Sequence, residues 1–116
     1  MALEFKSQVI KNPEKKIKYK IFKPGGKEHY HLGVWLDGSE EELDKVEKVK
    51  YLLHQTFRQP LRTSQNRKNK FSITFWTWGM FVIKATICYK SGEEETQNFY
   101  LSYELPEDNG ENYIRV

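Results

Sequence analysis

The chain has 116 residues, a formal net charge of +3, and a composition that is 38% hydrophobic and 15% aromatic. This length predicts a single domain over residues 1–116, and the aromatic content excludes a disordered chain, which would lack bulky side chains to bury. No apolar run approaches the roughly 18 residues that a membrane span needs, the N-terminus shows no secretory signal, and the single cysteine, Cys88, cannot form an internal disulfide. These features predict a cytoplasmic domain with no membrane partner.

Short segments in which apolar and polar residues alternate predict β-strands along most of the chain. The first is KIKYKIF (16–22), in which Ile17, Tyr19 and Ile21 alternate with lysines. Similar segments, separated by turn residues, are HLGVWL (31–36), FSITFWTW (71–78), MFVIKATICY (80–89) and NFYLSYEL (98–105). Six or more short strands at this spacing predict an all-β sandwich.

The segment EEELDKVEKVKYLLH (40–54) has two interpretations. Its apolar residues Leu43, Val46, Val49 and Leu53 stand at helical spacing, and most of the other residues are good helix formers. From the local pattern alone, a helix is slightly favoured. The same segment also reads as a strand that begins at Val46, because Val49, Tyr51 and Leu53 alternate with their neighbours.

The charges are distributed in blocks. Residues 1–27 contain eight lysines and two glutamates, residues 91–111 contain seven acids and no Lys or Arg, and residues 58–70 contain five cations and no acid. Residues 58–70 and 106–112 have few side chains to bury, which predicts mobile, exposed loops. Nucleic-acid binding through 58–70 is not favoured, because this stretch has no aromatic residue to stack on a base.

The sequence does not favour an enzyme. It contains no GxSxG turn, no phosphate-binding glycine loop and no HExxH, and Cys88 lies in an aliphatic strand, where a thiol is usually a small buried hydrophobe. His29, His31 and His54 lack the spacing of a metal site. We therefore predict a non-catalytic protein with no metal and no cofactor.

Unusual residues concentrate in two segments. LHQTFRQP (53–60) ends an apolar run with a histidine, a hydroxyl and an aromatic directly before a loop that contains proline. FWTWGMF (75–81) interrupts a strong β pattern with Gly79, which predicts a special backbone conformation or a close approach there. From the residues alone, the sandwich core is the favoured place for the aromatics of the second segment.

These segments resemble the motifs of the YEATS domain family. The stretch KVKYLLHQTF, a short basic loop and then FSITFWTWGMFVIKATICY, about residues 46–89, is similar to the family's V-x-Y/F-x-L-H-x-S/T-F segment and later aromatic-G-x-F turn. The residues on the two motifs are His54, Thr56 and Phe57 on the first, and Trp78, Gly79 and Phe81 on the second. The short chain most resembles the prokaryotic branch of the family.

The resemblance implies an immunoglobulin-like β-sandwich of about seven to eight antiparallel strands. It makes 46–54 a strand, with at most a helical turn near 39–44. It also implies recognition of an acetylated or crotonylated lysine by an aromatic slot at the loop end of the sandwich.

In the implied slot, Phe57 and Trp78 are the aromatic walls. The Thr56 hydroxyl and the Trp78 backbone N–H bond the acyl amide, His54 orients the loop, and Gly79 allows close approach. Readers of the family usually contribute another aromatic from the loop before their third strand, and the residues here that could replace it are His29 and Tyr30. Thr77 stands where a glycine is common in readers.

Two functions remain open at this point. One is binding of an acylated protein or peptide in the aromatic slot, and the other is a plain interaction, sensor or adaptor sandwich whose loops bind other protein modules. The exposure of Phe57 and Trp78 distinguishes them. If both are buried the slot is excluded, whereas a position of both along an open groove supports it.

Overall fold

The computed structural model describes residues 3–22, 24–107 and 109–116. Within these ranges the chain forms nine β-strands, one short α-helix and one 3-10 turn. In chain order they are β1 (Glu4–Val9), β2 (Ile17–Ile21), β3 (Glu28–Asp37), α1 (Glu40–Asp44), β4 (Val46–Leu52), β5 (Leu61–Ser64), the 3-10 turn (Arg67–Asn69), β6 (Ile73–Thr77), β7 (Phe81–Tyr89), β8 (Glu94–Leu101) and β9 (Tyr113–Arg115). Neither helix of the described chain is long and apolar enough to cross a membrane.

The strands form two sheets. In the first, β3 pairs antiparallel with β1, β2 and β6, and β9 pairs parallel with β2. The second sheet has the order β5-β4-β7-β8 and is antiparallel throughout. The predicted all-β sandwich is confirmed, with one or two strands more than the expected seven to eight.

The core lies between the two sheets because each strand turns alternate residues inward. The sheets contribute aliphatic side chains with no exposed surface: Leu32, Val34 and Leu36 from β3, Val49 from β4, and Ile83, Ala85 and Ile87 from β7. Phe5 of β1 extends this core, and its ring meets that of Tyr51 edge-on at 5.7 Å between centroids.

Segment 40–54 folds as a short helix followed by a strand. Ser39 caps α1, since its side chain accepts a hydrogen bond from the Glu42 N–H at 3.2 Å. The helix ends at Asp44 because β4 pairs with β7 from Val46 onward, and this pairing overrides the local helix propensity. The helical interpretation is therefore wrong beyond residue 44, while the strand from Val46 and the helical turn near 39–44 are confirmed.

Residues 58–70 are not one continuous loop, which corrects the prediction. Leu61–Ser64 forms β5 at the edge of the second sheet, and Ser64 is buried. Arg67 anchors the following turn through ion pairs with Glu40 and Asp44 of α1. The short segment LRTS shows no apolar alternation of its own, so its strand conformation comes from pairing with β4.

Other boundaries also differ from the predicted ones. β1 and β9 were not predicted, and β8 occupies Glu94–Leu101 where 98–105 was expected. β8 begins early because Glu94 pairs with Cys88 across the turn from β7. The described part of 106–112 contains neither helix nor strand, and Asp108, part of that predicted loop, lies outside the described residues.

A buried hydrogen bond joins the two sheets just before β6. The hydroxyl of Tyr51, a fully buried residue of β4, donates to the Phe71 carbonyl at 2.6 Å. Lys70 and Phe71 have φ values of 59° and 55°, a left-handed conformation that costs free energy in residues other than glycine. Further backbone hydrogen bonds hold it, from Leu36 N–H to the Lys70 carbonyl at 3.0 Å and from Phe71 N–H to the Asn66 carbonyl at 2.9 Å.

We expect Tyr51→Phe to lower the free energy of unfolding by about 1–3 kcal/mol, because the Phe71 carbonyl is left buried without its donor. Urea denaturation measures this change. The matched control is Tyr100→Phe, which removes a hydroxyl from a side chain that is 57% exposed and should change stability by less than about 0.5 kcal/mol. Equal losses in the two variants would contradict the role of the Tyr51 hydroxyl.

Candidate functional site

A groove of about 620 Å³ opens between β6, an outermost strand of the first sheet, and β5, an outermost strand of the second. Both sheets and two connections contribute to it. Its lining residues are Phe22 and His29 from the end of β2 and the start of β3, Thr56, Phe57 and Arg58 from the β4–β5 connection, Arg62 from β5, and Thr74, Phe75, Trp76, Thr77 and Trp78 from β6 and its end.

Four of the predicted site residues line this groove. They are His29, Thr56, Phe57 and Trp78. The two linked motifs are thus brought together, because the β4–β5 connection and the end of β6 face each other across the space between the sheets.

Phe57 and Trp78 both line the open groove. The Trp78 side chain is 55% exposed. Phe57 is half-buried, and its ring contacts those of Phe75 at 5.6 Å and Phe81 at 5.5 Å. The Trp78 ring is therefore largely open to solvent, whereas the Phe57 ring is supported from behind by the core.

His54 fixes the orientation of the Thr56 hydroxyl. The Thr56 N–H donates to His54 Nδ1 at 3.2 Å, so this nitrogen is an acceptor and the ring proton lies on Nε2. The Thr56 hydroxyl, 2.9 Å from the same nitrogen, must then donate its proton to it. Its oxygen keeps lone pairs that can accept a hydrogen bond from a ligand.

Lys27 covers part of the Trp78 ring. Its Nζ lies 3.8 Å from the ring centroid, a distance typical of a cation–π contact. The Lys27 carbonyl accepts a hydrogen bond from His29 Nδ1 at 2.9 Å, which ties the β2–β3 connection to the start of β3. A fixed positive charge therefore stands beside the predicted aromatic wall.

The groove contains residues that the sequence analysis missed. Phe22 is 63% exposed, and its ring stands edge-on to His29 at 4.7 Å, so it is an additional aromatic in the region where only His29 and Tyr30 were considered. Arg58 and Arg62 add two cations, and no acid is among the lining residues. The sequence contained one indication of this. In KIKYKIF, Phe22 is an apolar residue at a position where the alternation calls for a polar one, so its side chain points to the opposite face of the strand from Ile21.

Tyr30 is not at the groove. Its ring packs near those of Tyr103 at 6.5 Å and Tyr113 at 6.3 Å, and its hydroxyl donates to Glu28 at 2.7 Å. Burial and the Glu28 carboxylate raise the pKa of this phenol.

Gly79 differs from the expectation for it. Its φ is not in the left-handed region, and a Cβ built on it would meet nothing within 4 Å. The turn is held by Thr77, whose hydroxyl lies 3.4 Å from the Gly79 N–H and 3.3 Å from its carbonyl. Neither the backbone nor the packing of the folded chain thus requires a glycine at this position.

Phe81 lies beneath the groove. Its ring is 6.3 Å from that of His54 and 6.0 Å from that of Phe75. Its contacts support the β4–β5 connection from the core side.

The outer face of the first sheet carries a second aromatic contact. His31 of β3 stacks on Trp76 of β6, with 4.6 Å between centroids and 8° between planes. Lys20 lies over the Trp76 ring at 4.6 Å and Lys18 at 6.0 Å. Burial, followed by the charges of these two lysines, lowers the pKa of His31, and its Nδ1 is buried without a hydrogen-bond partner in the described structure.

Potential metal ligands are not clustered in the described part of the chain. Within the ranges given above, no three His, Cys, Asp or Glu side chains are grouped so as to hold an ion.

Cys88 is buried, and its Sγ donates to Glu94 at 3.6 Å. Burial and the Glu94 charge raise the pKa of this thiol, which opposes formation of the nucleophilic thiolate.

Comparison with known proteins matches residues 30–102 to the family described as the prokaryotic YEATS domain. A comparison with curated proteins gave no match.

Solved structures similar to the chain include YEATS domains of the yeast protein Yaf9. One, described as recognising an H3K122suc peptide, has 22% identity and a TM-score of 0.54 over 91% of this chain and 77% of that one. Another, bound to H3K27ac, has 21% identity and a TM-score of 0.54 over 93% and 79% of the two chains. At this identity the likeness shows the fold, and the expected immunoglobulin-like YEATS sandwich is confirmed.

We expect the His31 environment to make stability depend on pH. The folded-state pKa is lowered, so the unfolded chain binds more protons below its ordinary value of about 6.5, and stability falls as the pH falls through that value. His31→Phe keeps a ring on Trp76 and removes the titration. Urea denaturation at pH 7.5 and 5.5 should show a smaller loss in this variant than in the wild type, and equal losses would contradict the prediction.

Proposed function

The chain belongs to the prokaryotic YEATS domain family, and we propose that it is a non-catalytic module that binds an acylated lysine of a protein or peptide between Phe57 and Trp78. The observation that carries the proposal is that Phe57 of the first family motif and Trp78 of the second line one open groove. The fold is that of domains described as bound to acylated peptides. This proposal concerns the ligand of this chain, which similarity of fold alone does not establish.

The chemistry of an acylated lysine suits two aromatic walls. Acylation converts the ammonium into a neutral, planar amide, which gains dispersion and π contacts when it lies between ring faces. A conjugated cap such as crotonyl has a larger flat surface than acetyl, so we expect it to bind at least as well. Phe57 is held by Phe75 and Phe81, so one wall is already in place before binding.

Polar groups of the groove match the amide. The Thr56 oxygen, whose proton is directed to His54, accepts from the amide N–H. The Trp78 backbone N–H makes no hydrogen bond in the described structure and donates to the acyl carbonyl.

The cations of the groove discriminate against unmodified lysine. An ammonium entering the slot would lose its hydration and would meet the Lys27 ammonium already on the Trp78 ring. Two unit charges 4 Å apart repel by about 1 kcal/mol even in water. Arg58 and Arg62 add to the same positive field. A neutral acyl amide avoids the charge repulsion, and its loss of hydration costs less than that of an ammonium.

We expect Trp78→Ala to abolish binding of an acetyl-lysine peptide while leaving stability nearly unchanged, because the ring is 55% exposed. Phe57→Ala should also abolish binding, but with a loss of stability below the roughly 3–5 kcal/mol of a fully buried ring. Isothermal titration with acetylated, crotonylated and unmodified peptides, paired with thermal denaturation, measures both effects.

The matched control for these variants is Tyr100→Ala, which removes an exposed ring outside the groove and should bind as the wild type does. A folded Trp78→Ala protein that keeps full affinity, or a wild type that binds none of the acylated peptides, would defeat the proposal. The chain would then be an interaction or adaptor sandwich without an acyl slot.

We expect Lys27→Gln to reduce the preference for acylated over unmodified peptide by roughly fivefold, which corresponds to about 1 kcal/mol of lost repulsion. Affinity for the unmodified peptide should rise. Lys90→Gln, which removes an exposed lysine of the β7–β8 turn, makes the same change of net charge away from the groove and should leave the preference unaltered. A decrease of equal size in both variants would assign the effect to net charge alone.

A further inference from the structure

The outer edge of β6 borders the groove and carries no partner strand among the described residues. Among the described strands, β6 pairs with β3 alone. Its other edge faces the groove, since five consecutive residues from Thr74 to Trp78 line it. The backbone there is therefore both unpaired and accessible.

The hydrogen bonds of β3 show which groups of β6 are free. Ile10 N–H donates to the His31 carbonyl at 2.8 Å, so odd-numbered residues of β3 direct their backbone groups toward β1. Leu36 N–H donates to the Lys70 carbonyl, so even-numbered residues face β6. Because Leu32 is opposite Phe75, Phe75 uses its backbone groups on β3, and its two neighbours direct theirs outward.

Thr74 and Trp76 thus present N–H and C=O groups along the open edge. These groups form the pattern that an added strand requires. Trp78 is also an even-numbered residue, so its N–H points toward the open edge of β6. The proposed function places the acyl carbonyl at this N–H.

The composition of β6 leaves this edge unprotected. Proteins usually protect edge strands with charged residues or proline. The strand ITFWT has neither and is the one strand of the described chain without a charged residue. The other outermost strands carry charges, among them Arg62 in β5, Glu94 and Glu95 in β8, and Arg115 in β9.

The opposite wall of the groove is positively charged. Arg58 is exposed and makes no hydrogen bond or ion pair within the described chain, and Arg62 lies beside Phe57 at 6.0 Å from its ring. With no acid in the lining, this wall complements carboxylates.

We propose that the free edge of β6 binds an extended, acidic segment of a partner protein as an added strand. This rests on the proposed function, since the same segment carries the acylated lysine. The partner's main chain pairs with Thr74 and Trp76, and its lysine reaches the Phe57–Trp78 slot. The step from residue 76 to 78 along the strand is about 7 Å, comparable with the reach of an extended lysine side chain.

The first experiment is an N-methyl scan of a labelled nine-residue peptide that has a central acetyl-lysine flanked by Thr, Val and Glu. If the peptide binds as an added strand, the loss of affinity on N-methylation should alternate with a period of two residues along the peptide. N-methylation at alternate positions should weaken binding by about tenfold, since it removes one main-chain hydrogen bond and adds a clash, whereas the intervening positions should change it less than twofold. Fluorescence anisotropy measures the affinities. A scan without a period would overturn the strand addition.

The second experiment tests the acidic preference. Arg58→Glu should weaken binding of the Glu-flanked peptide by at least about fivefold and leave a Gln-flanked peptide nearly unaffected. The control is Lys90→Glu, which makes the same change of net charge outside the groove. Equal affinity of the wild type for the Glu-flanked and Gln-flanked peptides would overturn the acidic specificity.

A third arm separates this inference from the proposed function. The probe is a single acetyl-lysine with blocked termini, which can enter the slot but cannot form a strand. If this probe binds and the N-methyl scan shows no two-residue period, acyl-lysine binding in the slot is supported and strand addition at β6 is refuted. If the unmodified peptide binds as well as the acetylated one and the scan shows a clear period, strand addition is supported and acyl-lysine binding is refuted. Dimerisation that disappears in a Thr74→Pro variant would show that a second copy occupies the edge, and would overturn the proposal.

Discussion

The hydrogen bond from the Tyr51 hydroxyl to the Phe71 carbonyl is the connection on which the groove depends. Tyr51 lies near the end of β4, and the chain reaches Thr56 and Phe57 only a few residues later. Phe71 precedes β6, the strand that leads to Trp76 and Trp78. This buried hydrogen bond, with the Phe57–Phe75 ring contact, joins the two sheets beside the groove. The left-handed conformation of Lys70 and Phe71 persists because this contact and the neighbouring backbone bonds maintain it.

Much of the fold could be predicted from local patterns, because a strand with one buried face carries its period in the sequence. β2, β3, β6 and β7 were found in this way. Where pairing decides the conformation, local pattern fails. The helical interpretation of 40–54 missed that Val46–Leu52 pairs with β7, and LRTS contains no period from which β5 could be recognised. β1 likewise owes its strand conformation to its antiparallel pairing with β3, which extends over all six of its residues.

The candidate site was predictable in part, for a different reason. The motifs around Thr56–Phe57 and Trp78 are distinctive enough to suggest a family, and the structure brings them to one groove. Phe22 and Arg62 could not be found in this way, because their proximity to the groove arises from strands that meet only in three dimensions. Gly79 shows the opposite limit. A glycine in a motif suggests a backbone requirement, yet the turn is held by the Thr77 side chain.

The uncharged edge of β6 has a consequence for solubility. A strand left open for a partner is also a template for ordered aggregation, which proteins suppress with gatekeeper charges beside the exposed segment. In this protein the charged residues that could act in this way lie on neighbouring segments and not on β6. Lys18 and Lys20 flank Trp76 on the outer face, and Arg58 and Arg62 stand across the groove. Two copies that approached edge to edge would bring like charges together, so the positive surroundings oppose polymerisation through this strand.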